Sequence, residues 1–497
     1  MTERLRAVDM SFLSQESAST PMHVATLEVF EPPSDGFDYE SLVALIADRI
    51  AFAPRYRQRL QTVPGHLANP IWVDDDDFDL TYHVRRSALP RPGSMEQLRE
   101  LVARVMSRRL DRSRPLWEMY LVEGMEGDRF AVFSKAHQVL VDGIGTLDLG
   151  QMILDVEPGP RESAQDEWVP RPNPNTLSLV ADAVTETLRR PGQAMETVRG
   201  GVVGAREGAI RARGAAEAVA GVMTTGRPAA EGPFAAKLSE QRRFVTVETR
   251  LEDYRRVRKA HGGTVNDVVL AVIAGGLRTW LMTRGEAVQP TSRVKALVPM
   301  SVLNDEGEPT SLGSRVTPHL LSLPVGENSP VMRLHQVSYA LKAHKETGRA
   351  VSASRLAGIH GFAPTTLHAL GARVASSYPR RAFNLVVTNV PGPQFPLYAL
   401  GARMLASYPM LPLLQGQALA VGVTSYDGHV FYGVEADRDA LPDIEVLAQT
   451  LTEALEELVD TTGDSRARAP RGRTGLGDQR TGGAKRAPRR PAGKRRS

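Results

Sequence analysis

The chain has 497 residues, 42% of them hydrophobic, and a formal net charge of +4, so it is long enough for two or three domains with their own cores. It contains no cysteine, which excludes disulfide bonds, thiolate catalysis and cysteine-ligated zinc. Its first residues lack the apolar run of a signal peptide, and no stretch looks like the uninterrupted apolar run of a membrane span. We therefore expect a cytoplasmic protein that at most lies on a membrane surface.

The positive charge is concentrated at the carboxyl end of the chain. Residues 466–497 contain 12 Lys or Arg and one acidic residue, a net charge of +11, so the first 465 residues carry −7 of the total of +4. The segment is rich in Gly, Pro and Arg and has no apolar periodicity, which predicts a disordered tail over residues 461–497. Two interpretations stay open for this tail: simple solvation, or contact with anionic lipid or nucleic acid.

The first half of the chain predicts a helix followed by a hairpin. Residues 94–110 open with a capping box and then place apolar side chains at helical spacing. Residues 115–124 and 130–137 read as strands joined by a short loop, which predicts a β-hairpin. His137 then lies at a strand end, and residues 144–156 read as the next helix.

A change of composition separates the two halves. Residues 157–240 are first Pro-rich and polar, and then rich in Ala, Gly and Arg with weak helical periodicity. We interpret this stretch as a crossover. Within it, residues 177–190 could form an amphipathic helix that packs on the body of the protein or docks on a membrane.

The second half predicts further strands and helices in a mixed order. Its clearest helix begins after Thr264, the expected N-cap, with Asp267 three residues later. A hairpin is expected around Asp427 and Gly428. The predicted strands are 242–251, 295–303, 384–392 and the two arms of 418–436, and the predicted helices are one from 251, one over 262–281 and one over 444–459. This content predicts an α/β fold of mixed sheets covered by helices.

Several common catalytic motifs are missing from the sequence. There is no G-x-S-x-G elbow, no Walker A loop and no H-E-x-x-H helix, and residues 143–148 only imitate the start of a dinucleotide fingerprint. These absences argue against serine hydrolases, NTPases, zinc proteases and Rossmann enzymes.

The stretch "SKAHQVLVDG", residues 134–143, carries the best candidate site. A neutral imidazole at His137 could take the proton of an alcohol that attacks a thioester. Asp142 could fix the loop through its charge, and Gly143 permits close approach of backbone or substrate. The residues alone leave a simple capped loop as an open alternative.

This stretch resembles the H-H-x-x-x-D-G motif of the wax ester synthase/diacylglycerol acyltransferase (WS/DGAT) family, bacterial enzymes that acylate long-chain alcohols and diacylglycerol from acyl-CoA. Other blocks similar to that family follow in the same order. They are "PMHV" at 21–24, "PIWVDDDDFDLTYHV" at 70–84, "LDRSRPLWE" at 110–118, "TVNDVVLA" at 264–271, "LVPMSV" at 297–302, "LGSRV" at 312–316 and "TNVPGP" at 388–393. The resemblance covers roughly residues 1–460.

The resemblance implies two chloramphenicol-acetyltransferase-like domains with a tunnel between them, here residues 1–157 and 241–460, joined by the crossover 158–240. Acyl-CoA would enter as a substrate, no metal or bound cofactor is implied, and the acyl group would pass directly to a lipid hydroxyl. The protein could also contact a membrane or lipid droplets peripherally.

The chain departs from the family pattern at Gln138 and, more mildly, at Ser314, where the family more often has Asn. The second histidine, the family's proposed base, is replaced by Gln138, whose amide cannot carry a proton away. His137 matches the first histidine. If both residues are extended, their side chains point to opposite sides and His137 does not simply take over the role, whereas a loop conformation would remove that objection. The prediction assigns His137 as the best available base, Gln138 as an orienting group, Asp142 as a loop-fixing charge and Gly143 as the close-approach position.

Other candidate residues come from the remaining blocks. Asn266 and Asp267 match the family's N-D motif, although capping of a helix would also explain them. For the tunnel and substrate contacts the resemblance also implies Asn389, Pro391 and Gly392. Trp117 is expected to have a structural role. The same is expected of His23, although the resemblance also allows it to reach the tunnel.

Three functions stay open from the sequence. The first is an O-acyltransferase that uses acyl-CoA and either diacylglycerol or a fatty alcohol. The second is a homologue that binds or delivers acyl-CoA and lipid with weakened chemistry, because of Gln138. The third is a surface or nucleic-acid binder that acts through its basic tail.

Overall fold

The computed structural model of the protein describes most of the two predicted domains, residues 1–157 and 241–460. The described residues are 3–140, 149–159, 168–175, 179, 232–301, 316–346, 368–369, 372–373 and 382–463. Predictions for residues 141–148, 177–190 (Leu179 excepted) and 464–497 therefore lie outside them.

Strands of two large sheets and one small sheet make up the framework of this part of the chain. The strands are β1 (His23–Glu31), β2 (Gln58–Gln61), β3 (Ile71–Asp74), β4 (Val84–Ala88), β5 (Trp117–Glu123), β6 (Phe130–His137), β7 (Arg242–Arg250), β8 (Val294–Ser301), β9 (Val316–Leu323), β10 (Leu385–Pro391), β11 (Tyr398–Ala399), β12 (Ala402–Met410), β13 (Leu419–Tyr426) and β14 (His429–Asp437). The first sheet has the order β11-β12-β1-β6-β5-β4, and the second has the order β7-β14-β13-β10-β8-β9. Strands β2 and β3 form the small sheet.

Helices cover these sheets. They are α1 (Ala7–Gln15), α2 (Tyr39–Arg49), α3 (Leu80–His83), α4 (Met95–Met106), α5 (Leu149–Ile153), α6 (Leu251–His261), α7 (Val265–Thr283), α8 (Pro330–Glu346) and α9 (Ile444–Asp460). Short 3-10 turns lie at Ile50–Phe52, Pro54–Arg57, Pro64–His66 and Glu126–Asp128. The predicted mixed α/β fold is confirmed.

Helix α7 is the central helix of the second half. Thr264 and Asp267 form a capping box at its first turn, as the sequence predicts. Gly275 and Gly276 let α9 approach closely, because an added Cβ would lie 2.9 Å from Ala454 and 2.7 Å from Leu451. By length and composition α7 would suffice to span a membrane, contrary to the expectation that no stretch does. It is mostly buried inside the protein, which is typical of a core helix.

One strand crosses from the second half of the sequence into the first sheet. Strand β12 pairs antiparallel with β1, with Met410 opposite Ala25, although their order in the sequence places them in different predicted domains. The following residues return to the second sheet, and β13 begins at Leu419. The first sheet is therefore completed only by residues from the far end of the chain.

The two sheets meet where glycines leave room for the backbone of β12. Gly422 and Gly433 are paired across β13 and β14. A Cβ on Gly433 would lie 1.9 Å from the carbonyl oxygen of Pro409, and one on Gly422 would lie 3.0 Å from the Pro409 ring. The absence of two side chains thus sets the distance between the sheets.

Candidate active site

His137 is the last residue of β6, at the strand end that the sequence predicts. Its side chain is 1% exposed. The Nδ1 atom accepts a hydrogen bond from the backbone N–H of Val139 at 3.1 Å, and Nε2 lies 3.6 Å from Oε1 of Glu16. A neutral imidazole that accepts at Nδ1 carries its proton on Nε2. In this arrangement the lone pair of His137 accepts the N–H of Val139 and is not available to a substrate. The sequence, in contrast, predicts His137 as the base.

Glu16 is the centre of a buried polar cluster that the sequence did not indicate. Its carboxylate lies 3.4 Å from Nε2 of His23 and accepts hydrogen bonds from Arg112 at 2.9 and 2.5 Å. The rings of His23 and His137 are 5.9 Å apart in an edge-on arrangement, because the two residues are paired across β1 and β6. The cluster fixes both imidazoles on one face of the first sheet.

The charge states of this cluster follow from burial and from Arg112. Burial lowers the pKa of His137 to about 3 and that of His23 to about 4, so both rings are neutral at neutral pH. Burial raises the pKa of Glu16. Its hydrogen bonds with His23 and Arg112, together with the positive charges that His23 and His137 carry when protonated, outweigh burial and lower this pKa to about 2. A single ionised carboxylate therefore faces two neutral imidazoles.

Gln138 lies one residue beyond β6 and continues the pairing with β1. Its backbone N–H donates to the carbonyl of Met22 at 2.9 Å, so by strand alternation its side chain lies on the face opposite to His137. Gln138 is 1% exposed, and neither amide atom of its side chain has a hydrogen-bond partner among the described residues. A buried amide without partners is costly, and such a group is a candidate contact for substrate. Asp142 and Gly143 lie outside the described residues.

The structure joins two of the candidate residues of the second half directly. The amide of Asn389, on β10, donates to Oδ1 of Asn266, in the first turn of α7, at 2.9 Å. Asp267 points elsewhere. Its carboxylate accepts from the Thr264 hydroxyl at 2.7 Å and from the Ser338 hydroxyl at 2.8 Å, which is the capping role that the sequence also allowed. The side-chain amides of Asn266 and Asn389 therefore link β10 to the first turn of α7.

Pro391 and Gly392 continue β10 past this pair. Pro391 is in register with Ser425 on β13, and the N–H of Gly392 donates to the Ser425 carbonyl at 2.8 Å. These contacts give both residues a structural role in joining β10 to β13. Trp117 is fully buried, and its indole N–H donates to the carbonyl of Tyr56 at 2.7 Å, in agreement with its expected role in the core.

Sequence reasoning also missed His368, another buried imidazole. Its Nδ1 lies 2.5 Å from the hydroxyl oxygen of Thr388 on β10, and its Nε2 has no hydrogen-bond partner within the described part of the chain. Burial lowers its pKa to about 3. Thr388 opens the block at 388–393, but His368 stands in no motif, so no local signal pointed to it.

Acid should destabilise the fold, because four buried histidines are neutral in it. Burial lowers the pKa of His23 and His83 to about 4 and that of His137 and His368 to about 3. In the unfolded chain these histidines are protonated near pH 6.5. Their contribution to the stability of the folded state is therefore complete above that pH and is lost as the pH falls toward their pKa values in the folded protein. Glu435 acts oppositely, because burial raises its pKa to about 8, so its contribution is lost as the pH rises.

We expect the free energy of unfolding to be roughly 3 kcal/mol lower at pH 5.5 than at pH 7.5. The four histidines lower it over this range, and the carboxyl of Glu435 offsets part of their effect. Urea unfolding at both pH values measures this change. A His83→Gln variant should show a smaller fall, and equal stability at the two pH values would contradict the assignment of neutral histidines.

Known protein families and individual relatives match most of this chain. The profile of the wax ester synthase/diacylglycerol acyltransferase catalytic domain matches residues 5–269, and that of the WS/DGAT C-terminal domain matches residues 312–459. A probable diacylglycerol O-acyltransferase of Mycobacterium tuberculosis is 33% identical over 466 residues, which is 92% of this chain and 95% of the relative. Another protein of that description from the same species is 44% identical over 265 residues, 52% of this chain and 96% of the relative.

Solved structures agree with these sequence matches. The wax ester synthase/diacylglycerol acyltransferase from Marinobacter aquaeolei VT8 aligns with a TM-score of 0.63 and 27% identity over 92% of this chain and 99% of its own. The starter condensation domain of rhizomide synthetase aligns with a TM-score of 0.54 and 13% identity over 93% of this chain and 95% of its own, which reflects a shared fold. Both domain profiles match in order on a fold of the same kind, and the chain therefore belongs to the WS/DGAT family of acyltransferases.

Proposed function

We propose that the protein transfers a long-chain acyl group from acyl-CoA to the hydroxyl of diacylglycerol, with a fatty alcohol as the other acceptor class. The observation that carries this proposal is the match of both WS/DGAT domain profiles in order along the chain. Gln138, a buried amide without described partners, stands at the position of the family's second motif histidine. The relatives named as diacylglycerol O-acyltransferases favour diacylglycerol as the acceptor.

The chemistry needs no covalent enzyme intermediate. The acceptor oxygen attacks the thioester carbonyl, the C–S bond breaks, and the proton of the hydroxyl ends on the released CoA sulfur. Gln138 can accept a hydrogen bond from the hydroxyl or donate one to the carbonyl oxygen, but it cannot hold the proton. Its contribution is to orient the reactants, which by itself lowers the barrier to reaction.

A polar cavity beside the Glu16 cluster supports an anionic substrate. The cavity has a volume of about 500 Å³ and is lined by Glu16, Asp111, Glu118 and four arginines, Arg85, Arg108, Arg109 and Arg112. Guanidinium groups bind phosphate well, and CoA carries phosphates. The cavity lies on the His137 face of the first sheet, opposite to the Gln138 side chain, so it would hold the CoA phosphates and not the reacting thioester.

The alternative is a homologue that binds acyl-CoA and lipid without efficient transfer. The orientation of His137 favours it, because the lone pair of that imidazole is already used by Val139. We further propose a cytoplasmic protein with peripheral contact to membrane or lipid droplets, since its acceptor is a lipid. The basic residues 466–497 would assist that contact by attraction to anionic lipid.

Release of free CoA from palmitoyl-CoA, with and without dioleoylglycerol or hexadecanol, tests the proposal. We expect acceptor-dependent turnover in the wild type, about tenfold less in Gln138→Ala through the loss of one oriented hydrogen bond, and retained turnover in Gln138→His. The acylated acceptor is identified by mass spectrometry. An inactive wild type together with an active Gln138→His variant would instead establish the binding protein.

A further inference from the structure

His368 lies between the two halves of the protein, on the side where Gln138 is found. Its neighbour Ala369 packs against Val24 of β1. Val24 is opposite Ala136 on β6, and the pairing continues through Met22 to Gln138, so Val24 and Gln138 share one face of the first sheet. The residue next to His368 thus touches the face that carries the substituted motif position.

The same segment is fixed to the first half at a second point. Arg373 pairs with Asp9 of α1, and its guanidinium lies 5.3 Å from the centre of the Phe12 ring. Two residues of this segment therefore contact the first half, at β1 and at α1.

On its other side His368 contacts the second sheet. Thr388 is in register with Gly422 on the parallel strand β13, so both point to the same face. That face is turned toward the first sheet, because Gly422 lies against Pro409 of β12. Asn389, the next residue, points the opposite way to Asn266 of α7. The imidazole is thus held in the space between the sheets.

The hydrogen bond to Thr388 defines what this imidazole can do. When Nδ1–H donates to the Thr388 hydroxyl oxygen, Nε2 carries the lone pair. His368 is 1% exposed, and Nε2 has no hydrogen-bond partner among the described residues. This is the reverse of His137, whose lone pair is used by the backbone.

We propose that His368 is the general base of the acyl transfer, a role left open by the glutamine at position 138. Burial lowers the pKa of this imidazole, so Nε2 takes the proton only as the acceptor oxygen bonds to the thioester carbon, when that proton has become strongly acidic. The C–S bond then breaks, and the proton passes from Nε2 to the sulfur of the released CoA. The proposal rests on the acyl transfer proposed above.

The test compares acceptor-dependent CoA release in the wild type and in His368→Gln. Loss of a general base typically lowers the rate 100- to 10,000-fold, and we expect a fall of kcat in that range. Binding of S-hexadecyl-CoA, a thioether that cannot transfer its chain, should change less than threefold. His83→Gln removes another buried imidazole, in contact with Trp117, and should leave kcat within tenfold of wild type.

Rescue separates chemistry from folding. The double variant His368→Gln/Gln138→His supplies a base at the family's position, and we expect it to regain at least tenfold in kcat over His368→Gln. Turnover of His368→Gln within threefold of wild type would overturn the proposal and leave the acyltransferase standing. A wild type without turnover would overturn both. Should His368→Gln not fold, Thr388→Val decides: unchanged kcat refutes the role, and a tenfold fall with intact thioether binding supports it.

Discussion

Replacing Gly433 by alanine should cost about 3 kcal/mol or more of folding stability and abolish acyl transfer. The added Cβ would lie 1.9 Å from the carbonyl oxygen of Pro409 and 3.0 Å from its carbonyl carbon. Both are backbone atoms of β12, which is paired with β1, so they cannot yield without disturbing the first sheet. Overpacking in a close-packed interior typically costs about 1–3 kcal/mol, and more where backbone must move.

Urea unfolding and acceptor-dependent CoA release measure this effect. Gly422→Ala should be milder, because its nearest contact is the Pro409 ring at 3.0 Å. Gly232→Ala is the matched control, since no atom of the described residues lies within 4 Å of its added Cβ. A Gly433→Ala variant as stable as Gly232→Ala would contradict the close approach of the two sheets.

Replacing Glu16 by alanine should destabilise the fold by about 1–3 kcal/mol and lower acyl transfer as well. The Glu16 side chain is 1% exposed and lies 3.4 Å from Nε2 of His23 and 3.6 Å from Nε2 of His137. Its removal would leave a gap beside two buried imidazoles, and losses of this kind commonly cost about 0.5–3 kcal/mol. The loss would also loosen the turn that follows β6, where Gln138 sits. Arg112 is 45% exposed and can turn to water, so it adds little to the cost.

Glu3→Ala provides the comparison for Glu16→Ala. Glu3 pairs with Arg55 but is 59% exposed, and exposed ion pairs contribute about 0–1 kcal/mol. Thermal unfolding and CoA release of the two variants should therefore differ clearly. Equal effects of the two substitutions would show that the cluster around Glu16 is not a structural centre.

Elements with local signals were predictable from the sequence. The capping boxes at Ser94 and Thr264 define the starts of α4 and α7, and the turn at Asp427 joins β13 to β14. In each case the signal lies within a few residues of the structure it determines. The insertion of β12 beside β1 has no such signal, because Ala25 and Met410 come together only through the tertiary fold.

The candidate site was predictable in position and less so in chemistry. The strand end at His137 and the substitution at Gln138 could be read directly from the motif. The use of the His137 lone pair by Val139 depends on the turn geometry, and the Glu16 and His368 contacts depend on burial and on distant strands. Which ring nitrogen of a buried imidazole is hydrogen-bonded depends on tertiary contacts, and no local sequence pattern indicates it.

The position of β12 also determines the order in which this protein can be made. Strand β6 ends at His137, but the partner of β1 on its other side is complete only at Met410. At translation rates of about 5–20 residues per second, these 273 intervening residues take roughly 14–55 s to synthesise. Throughout that interval the hydrogen-bonding groups of β1 form an open sheet edge, the kind of edge that recruits other chains. We therefore expect β1 of the nascent chain to be exposed to wrong pairing until the carboxyl-terminal half of the protein has been made.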